Sequence, residues 1–123
     1  MPPFSATVEI STVKVGAVTI VRFGRAVILT GERMEKAGQE LYRLAEKPET
    51  ARLVLDFENV EMLTSTMIGK LVMLDKKVRD CGGRLAVCKL NDTVKTIFNV
   101  AQLPRILNIY ADEQAALKSF ESP

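Results

Sequence analysis

Apolar residues recur along the chain in two patterns, and these patterns predict its secondary structure. Near the middle, a short apolar run at 53–55 ends at Asp56, which is typical of a strand covered on both faces. In the segment that follows, 66–81, apolar residues are spaced by three or four positions, as on one face of an α-helix. These residues are Met67, Leu71, Leu74, Val78 and Cys81. We therefore predict a buried central strand at 52–57, followed by a helix that packs on the core.

The flanking sequence predicts the remaining elements. Two segments rich in Val, Ile and Thr are joined at Gly16 and indicate a hairpin. From Arg52 onward strands and helices alternate, which favours parallel strands with helices packed against them. The further predicted elements are strands at 7–15, 17–23, 26–29, 84–88 and 106–110, and helices capped by Thr30, by Asn91 or Asp92, and by Asp112. The predicted fold is α/β: one domain over residues 1–123, with a mixed, mostly parallel sheet, about four helices packed on it and an N-terminal β-hairpin.

Ser65 lies at the beginning of the central helix, on the side opposite its apolar residues. At about 100° per residue, Gly69, Val72 and Lys76 are nearly in line with it. Val72 and Met73 place apolar surface where a solvated face would normally carry charge, and such a patch can receive a partner. The hydroxyl of Ser65 also suits the N-cap position, where it would accept a hydrogen bond from a backbone N–H group. Two interpretations stay open: Ser65 only caps the helix, or it is a functional hydroxyl on a binding face.

Charge and length exclude several classes of function. The 17 Lys and Arg residues nearly balance 15 Asp and Glu residues, so we expect no nucleic-acid partner. The longest apolar runs are far shorter than the roughly 20 residues that span a bilayer. The first residues have neither the basic start nor the apolar core of a secretory signal. We therefore expect a soluble, cytoplasmic protein with no membrane partner.

The residues of common catalytic and metal sites are scarce. The chain has no histidine, which removes histidine bases, histidine ligands and Ser-His pairs. Cys81 and Cys88 match neither a metal-ligand nor a redox spacing and are expected to be core residues. Gly69-Lys70 lacks the first glycine and the final hydroxyl of a phosphate-binding P-loop. We predict no catalytic residue, no metal site and no cofactor.

Acidic residues at the end of the central strand have two possible roles. Asp56 and Glu58 alternate along the strand end, so at most one of them faces a given site and a paired-carboxylate mechanism has little support. Asp56 is expected to end the strand and to accept hydrogen bonds from loop N–H groups. Participation of Asp56 in a partner contact is the alternative.

The segment 56–71 resembles the STAS domains of anti-anti-sigma factors. The resemblance rests on the strand that ends in Asp56, on Val60, on the hydroxyl pair Ser65-Thr66 and on Gly69. It extends from about residue 8 to residue 120, and its further landmarks are Gly82-Gly83, Leu90-Asn91-Asp92 and Leu103. Two positions depart from the family pattern: Thr64 stands where Asp is common, and Met67 where a small residue is common.

The resemblance implies a regulatory function and no enzymatic activity. It implies that the unmodified domain binds an anti-sigma serine kinase through the Ser65 helix, releases a sigma factor, and is switched off when that kinase phosphorylates Ser65. Thr66 and Thr64 are less favoured phosphorylation sites, and a PPM-type serine phosphatase is the implied second partner. The partner-binding residues predicted are Asp56, Thr64, Ser65, Thr66, Gly69, Val72, Met73 and Lys76. The alternative is a non-phosphorylated STAS scaffold or regulatory subunit, for example of a transporter complex.

Overall fold

The computed structural model describes residues 10–24, 27–29 and 31–121. The predicted strand ends at 7–9 and 26, and the predicted cap Thr30, lie outside these residues. Its strands are β1 (Ile10–Val15), β2 (Val18–Phe23), β3 (Val27–Leu29), β4 (Arg52–Asp56), β5 (Val60–Leu63), β6 (Arg84–Cys88) and β7 (Asn108–Tyr110). Its α-helices are α1 (Gly31–Ala45), α2 (Ser65–Asp80), α3 (Asp92–Val100) and α4 (Glu113–Ser119).

Most of the strands form one mixed sheet. Within the described residues this sheet has five strands in the order β1-β2-β4-β6-β7. β1 and β2 are antiparallel and joined at Gly16, whose φ of +62° suits the first central position of a tight hairpin turn. The pairs β2–β4, β4–β6 and β6–β7 are parallel. The predicted α/β fold, with its hairpin and mostly parallel sheet, is therefore confirmed.

The two faces of the sheet carry different helices. α1, α2 and α3 pack on one face, where Leu53 and Leu55 of β4 lie fully buried. α4 packs on the other face, against the cluster that contains Val54 and Ala116. Because side chains alternate along a strand, Asp56 points to the same face as Val54. The end of β4 therefore presents Asp56 toward α4 and not toward α2.

Apart from one-residue shifts at element ends, the described strands differ from the predicted ones at two places. β5 was not predicted; it pairs in parallel with β3 in a separate two-stranded sheet, and only its end residues Val60 and Leu63 are buried. The last strand begins at Asn108 rather than at 106, because a 3₁₀ turn at Leu103–Arg105 precedes it. Both differences concern segments of three or four residues, which are too short to show a clear period of apolar residues.

Helix α2 follows its predicted pattern closely. Met67, Leu71, Leu74 and Val78 are buried, whereas Cys81 lies just past the last helical residue and is half-buried against the core. In the part of the chain that is described, the helices are all too short or too polar to cross a lipid bilayer.

Candidate partner-binding site

The beginning of α2 is capped by Thr64, so the prediction that Ser65 is the N-cap is wrong. Thr64 has extended backbone angles, and its Oγ1 accepts a hydrogen bond from the backbone N–H of Met67 at 3.4 Å. The same hydroxyl donates to Sδ of Met34 at 3.4 Å. Ser65 is already the first helical residue, and it is exposed. Because Thr64 provides the side-chain cap, the Ser65 side chain is available for another role.

Thr64 also explains the first departure from the family pattern. Aspartate and threonine are both good N-caps, since either side chain has an oxygen that accepts from the first helical turn. Met67, the second departure, is fully buried and faces the core. The first departure therefore keeps the cap but places a neutral side chain, and not a carboxylate, next to Ser65, and the second lies in the core.

The outer surface of α2 is continuous and mildly apolar. We define the Ser65 face as the exposed residues on this surface, which are Ser65, Thr66, Gly69, Val72, Met73 and Lys76. Val72 is 37% exposed and Met73 46% exposed. A Cβ atom added to Gly69 would meet no atom within 4 Å, so the surface is open one turn after Ser65. The structure thus brings these six predicted residues together on one helix face.

Ion pairs fix the side of α2 that meets α1. Lys70 pairs with Glu35 at 3.3 Å, and Lys77 pairs with Glu46 at 2.9 Å. Both ammonium groups lie near the ring of Tyr42, at 5.9 and 5.2 Å from its centroid. These contacts add to the packing of the buried residues of α2, so the Ser65 face belongs to a positioned helix. Sequence analysis did not identify them, because the paired residues are more than thirty positions apart.

One exposed apolar residue near the Ser65 face was not predicted. Met62 of β5 is 45% exposed and lies two residues before Thr64. It was missed because β5 itself was not recognised. The four residues of β5 do not alternate, because only Val60 and Leu63 are buried, so no strand pattern was available.

Asp56 lies apart from the Ser65 face. Its Oδ1 accepts a hydrogen bond from the backbone N–H of Glu58 at 2.8 Å, which is the loop contact expected from the sequence. Asp56 lines a cleft of about 280 Å³ at the ends of β2, β4 and β6. The other lining residues are Arg22, Phe23, Glu58, Asn59, Lys89 and Glu113. Since none of these belongs to the Ser65 face, the structure does not bring Asp56 together with the other predicted binding residues.

Asp56 and Glu113 form a carboxyl pair with opposite pKa shifts. Arg22 donates from Nε and Nη2 to the two carboxylate oxygens of Glu113, each at 2.8 Å. These bonds, with a further bond to Asp56, lower the pKa of Glu113 to about 2. Burial, followed by the bond to Glu113, raises the pKa of Asp56 to about 6. Between about pH 2 and pH 6, therefore, a protonated Asp56 faces an ionised Glu113, and the pair links β4 to α4.

This pair predicts a measurable dependence of stability on pH. A carboxyl group with a raised pKa in the folded state stabilises the fold at low pH and loses that contribution as the pH rises through its folded pKa. We expect ionisation of Asp56 to lower the free energy of unfolding by about 2 kcal/mol as the pH rises from 4 to 7. Asp56→Asn retains the donor and the acceptor without the charge. This variant should be about 2 kcal/mol more stable than wild type at pH 7.5 and about equal at pH 4.

Urea unfolding at both pH values measures the effect of Asp56→Asn. Glu113 contributes in the opposite direction, because its lowered pKa adds stability as the pH rises from about 2 to 4.5. The matched control is Asp80→Asn, which removes an exposed carboxylate paired with Lys76. It should leave the decline between pH 4 and pH 7 in place. If Asp56→Asn keeps that decline as well, the carboxyl pair is not its cause.

The described residues contain no group of three or more His, Cys, Asp or Glu side chains placed to hold a metal ion. Cys88 is buried, and burial, followed by the charge of Asp56, raises the pKa of its thiol to about 12. Cys88 is therefore a protonated core residue at neutral pH.

Fold and site together define a small α/β domain that presents one exposed, mildly apolar helix face. A family model described as the STAS domain matches residues 9–116. The chain therefore belongs to the STAS domain family, which confirms the resemblance found in the sequence. STAS proteins of the antagonist type are regulatory binding proteins and not enzymes.

Individual relatives are distant but consistent with one another. The anti-sigma F factor antagonist of Paenibacillus polymyxa is 28% identical over 76 residues, which are 62% of this chain and 65% of that protein. The match thus spans less than two thirds of the relative. The structure of an anti-sigma factor antagonist from Mycobacterium paratuberculosis is 16% identical and superposes with a TM-score of 0.80, covering 95% of this chain and 97% of that one.

A third relative has a solved phosphorylated form. The Bacillus cell fate determinant SpoIIAA in that form is 13% identical with a TM-score of 0.67, covering 90% of this chain and 99% of that one. At such identities the superposition of the two solved structures shows the shared fold.

Proposed function

We propose that this protein is an anti-sigma factor antagonist that binds an anti-sigma serine kinase through the Ser65 face. In the unmodified state it displaces a sigma factor from the kinase, and phosphorylation of Ser65 by the kinase ends the interaction. A PPM-type serine phosphatase would restore the binding state. The single observation that carries the proposal is the exposed hydroxyl of Ser65 at the first position of α2, released from capping by Thr64.

The geometry supports docking of an unmodified Ser65 face. Gly69 leaves room for a partner backbone or side chain next to Ser65. Val72 and Met73 supply apolar area that is exposed in the free domain and would be covered in a complex. Lys76 lies at the far end of the face, where a charge at the rim contributes to association more than to affinity.

The position of Ser65 also supports a switch that leaves the fold intact. A phosphate at a helix N-terminus meets unpaired backbone N–H groups and the positive end of the helix dipole, so the domain tolerates it. The same group adds about −1.5 to −2 charges to a surface whose neighbours are apolar. Desolvating that charge in a complex is costly, and the effect of phosphorylation therefore falls on binding and not on folding.

The proposal predicts opposite effects of one substitution on stability and on binding. Ser65→Asp should raise the free energy of unfolding by about 0.5 kcal/mol, since an acidic side chain in the first turn is favourable. It should weaken binding to the anti-sigma kinase of the same genome by roughly 30-fold, the equivalent of about 2 kcal/mol. Urea unfolding and titration calorimetry measure the two effects.

Two controls separate the local effect from the added charge. Asn99→Asp adds the same charge on α3, at an exposed position outside the Ser65 face, and should bind like wild type. Val72→Asp removes apolar area within the face and should weaken binding without phosphorylation. If Ser65→Asp and Asn99→Asp bind equally well, the Ser65 face is not the docking surface.

Phosphorylation itself is tested by incubation with the kinase and ATP, followed by mapping of the phosphate by mass spectrometry. We expect the label on Ser65, with Ser65→Ala unlabelled. Absence of label from Ser65, Thr66 and Thr64 would contradict the switch. Binding of the kinase without any label would instead support the alternative of a non-phosphorylated regulatory subunit.

A further inference from the structure

The outer edge of the main sheet is formed by β1, and nearly all of this strand is exposed. Residues 11–15 are exposed along their whole length, and among the described residues no strand pairs with the outer side of β1. Edge strands are commonly protected by proline, bulges, charges or covering segments. The six pairs between β1 and β2 run in regular register, and the segment contains one charged residue, Lys14.

The hairpin determines which backbone groups point outward. Gly16 and Ala17 form a two-residue turn, so the closing pair Val15–Val18 exchanges hydrogen bonds within the hairpin. Hydrogen-bonded and non-hydrogen-bonded pairs alternate from there. The N–H and C=O groups of Lys14, Thr12 and Ile10 therefore face the outer edge and are placed to pair with another strand.

Two exposed valines lie on one side of this edge. Val13 and Val15 are 37% and 44% exposed, and they stand opposite Ile20 and Val18 in the β1–β2 register. Ile20 and Val18 belong to the buried cluster under α4. The valines thus extend the surface of that cluster to the sheet edge, where a second strand with apolar residues in the same positions would cover them.

We propose that β1 pairs antiparallel with β1 of a second copy of this chain, with the two-fold axis at Val13. The pairing requires the outward-facing residues of the two strands to meet, so the axis passes through a residue and not between two residues. Axes at Thr12 and Val13 pair five residues of each described strand, whereas axes at Ser11 and Lys14 pair only three. An axis at Lys14 would place the two lysines directly opposite each other, which is unfavourable. An axis at Thr12 would leave Val15 without a cross-strand neighbour in the described strand.

The axis at Val13 gives each valine a cross-strand neighbour and keeps the two lysines apart. It places Val13 opposite its symmetry mate and Val15 opposite Ser11 of the second copy. Lys14 then stands opposite Thr12 of the second copy, so no like charges meet. Nζ of Lys14 already donates to the backbone oxygen of Glu49 at 2.9 Å, which holds this side chain on the α1 side of the sheet. The contact is small and the dimer is therefore weak.

In the proposed register, the sign of a charge placed at position 12 determines whether dimerisation becomes stronger or weaker. Thr12→Glu should strengthen dimerisation roughly fivefold, because two symmetry-related Glu–Lys pairs form. Thr12→Lys should weaken it roughly fivefold, because two Lys–Lys pairs form. Thr12→Pro removes an outward N–H group without removing a β1–β2 hydrogen bond and should abolish dimerisation. Sedimentation velocity over a wide range of protein concentration measures each dissociation constant.

Thr96→Glu and Thr96→Lys on α3 are the charge controls, and both should dimerise like wild type. Circular dichroism at low concentration confirms that each variant is folded. A wild-type protein that stays monomeric at millimolar concentration would overturn the proposal. Weakening by both Thr12→Glu and Thr12→Lys would place the axis at Thr12 and overturn the register, whereas unchanged dimerisation in all three Thr12 variants would overturn the interface. None of these outcomes depends on binding at the Ser65 face.

Discussion

Phe57→Ala should lower the free energy of unfolding by about 4 kcal/mol, because it removes a large aromatic side chain from a closely packed interior. Phe57 is fully buried and lies directly after β4. Its ring meets those of Phe23 and Phe98 edge-on, with centroids 5.7 and 6.1 Å away. The substitution therefore leaves a cavity and also removes two aromatic contacts. The midpoint and slope of urea unfolding measure the loss.

The matched control for Phe57→Ala is Phe57→Leu, which retains most of the apolar volume. It should cost about 1 to 2 kcal/mol, since the shape of the site is kept only in part. A similar loss in both variants would show that the aromatic contacts, and not the cavity, dominate. A loss below about 1.5 kcal/mol for Phe57→Ala would show that the site collapses around the smaller side chain.

The central strand and α2 could be predicted from sequence because their patterns are long and local. The buried residues of α2 recur over twelve positions, from Met67 to Val78, and this is enough to define one helix face. The exposed side of the same helix follows from the same period. The composition of the Ser65 face, with Gly69 and Val72 in line with Ser65, could therefore be predicted from the sequence.

The residues that sequence analysis misassigned lie where local rules allow two answers. Thr64 and Ser65 are adjacent hydroxyl residues, and both are good N-caps. Which of the two caps the helix depends on the direction in which β5 leads into α2. The position of β5 depends in turn on its pairing with β3, some thirty residues earlier. Tertiary pairing thus decides which of the two hydroxyls is left on the outside.

The carboxyl pair was missed for a different reason. Arg22 and Glu113 are 91 residues apart, and they meet because α4 returns to the face of the sheet that Asp56 also uses. A strand ending in Asp indicates a loop contact, which the structure shows, but it contains no information about α4. Electrostatic partners of this kind follow from topology and register, and neither can be read from the spacing of charges along the chain.

Gly83→Ala is the second substitution expected to have a large effect. Gly83 lies between α2 and β6, and a Cβ atom added there would overlap the carbonyl oxygen of Ala51 and lie 2.7 Å from its Cβ. Ala51 is fully buried, and its oxygen accepts a hydrogen bond from the N–H of Arg84 at 3.1 Å. Relief of the overlap must therefore move backbone and not a flexible side chain. We expect a loss of about 3 kcal/mol, measured by urea unfolding.

The neighbouring glycine distinguishes a steric cause from a conformational one. Gly82 has φ of +76°, but a Cβ atom there would meet nothing within 4 Å. Gly82→Ala should therefore cost only about 1 kcal/mol, the usual penalty for a left-handed backbone at an alanine. If both alanine variants lose the same stability, the backbone around Gly83 relaxes and the overlap with Ala51 is not the dominant cost. A loss at Gly83 at least twice that at Gly82 would show that the close approach of Gly83 to the backbone of Ala51, and not the backbone conformation after α2, sets the cost.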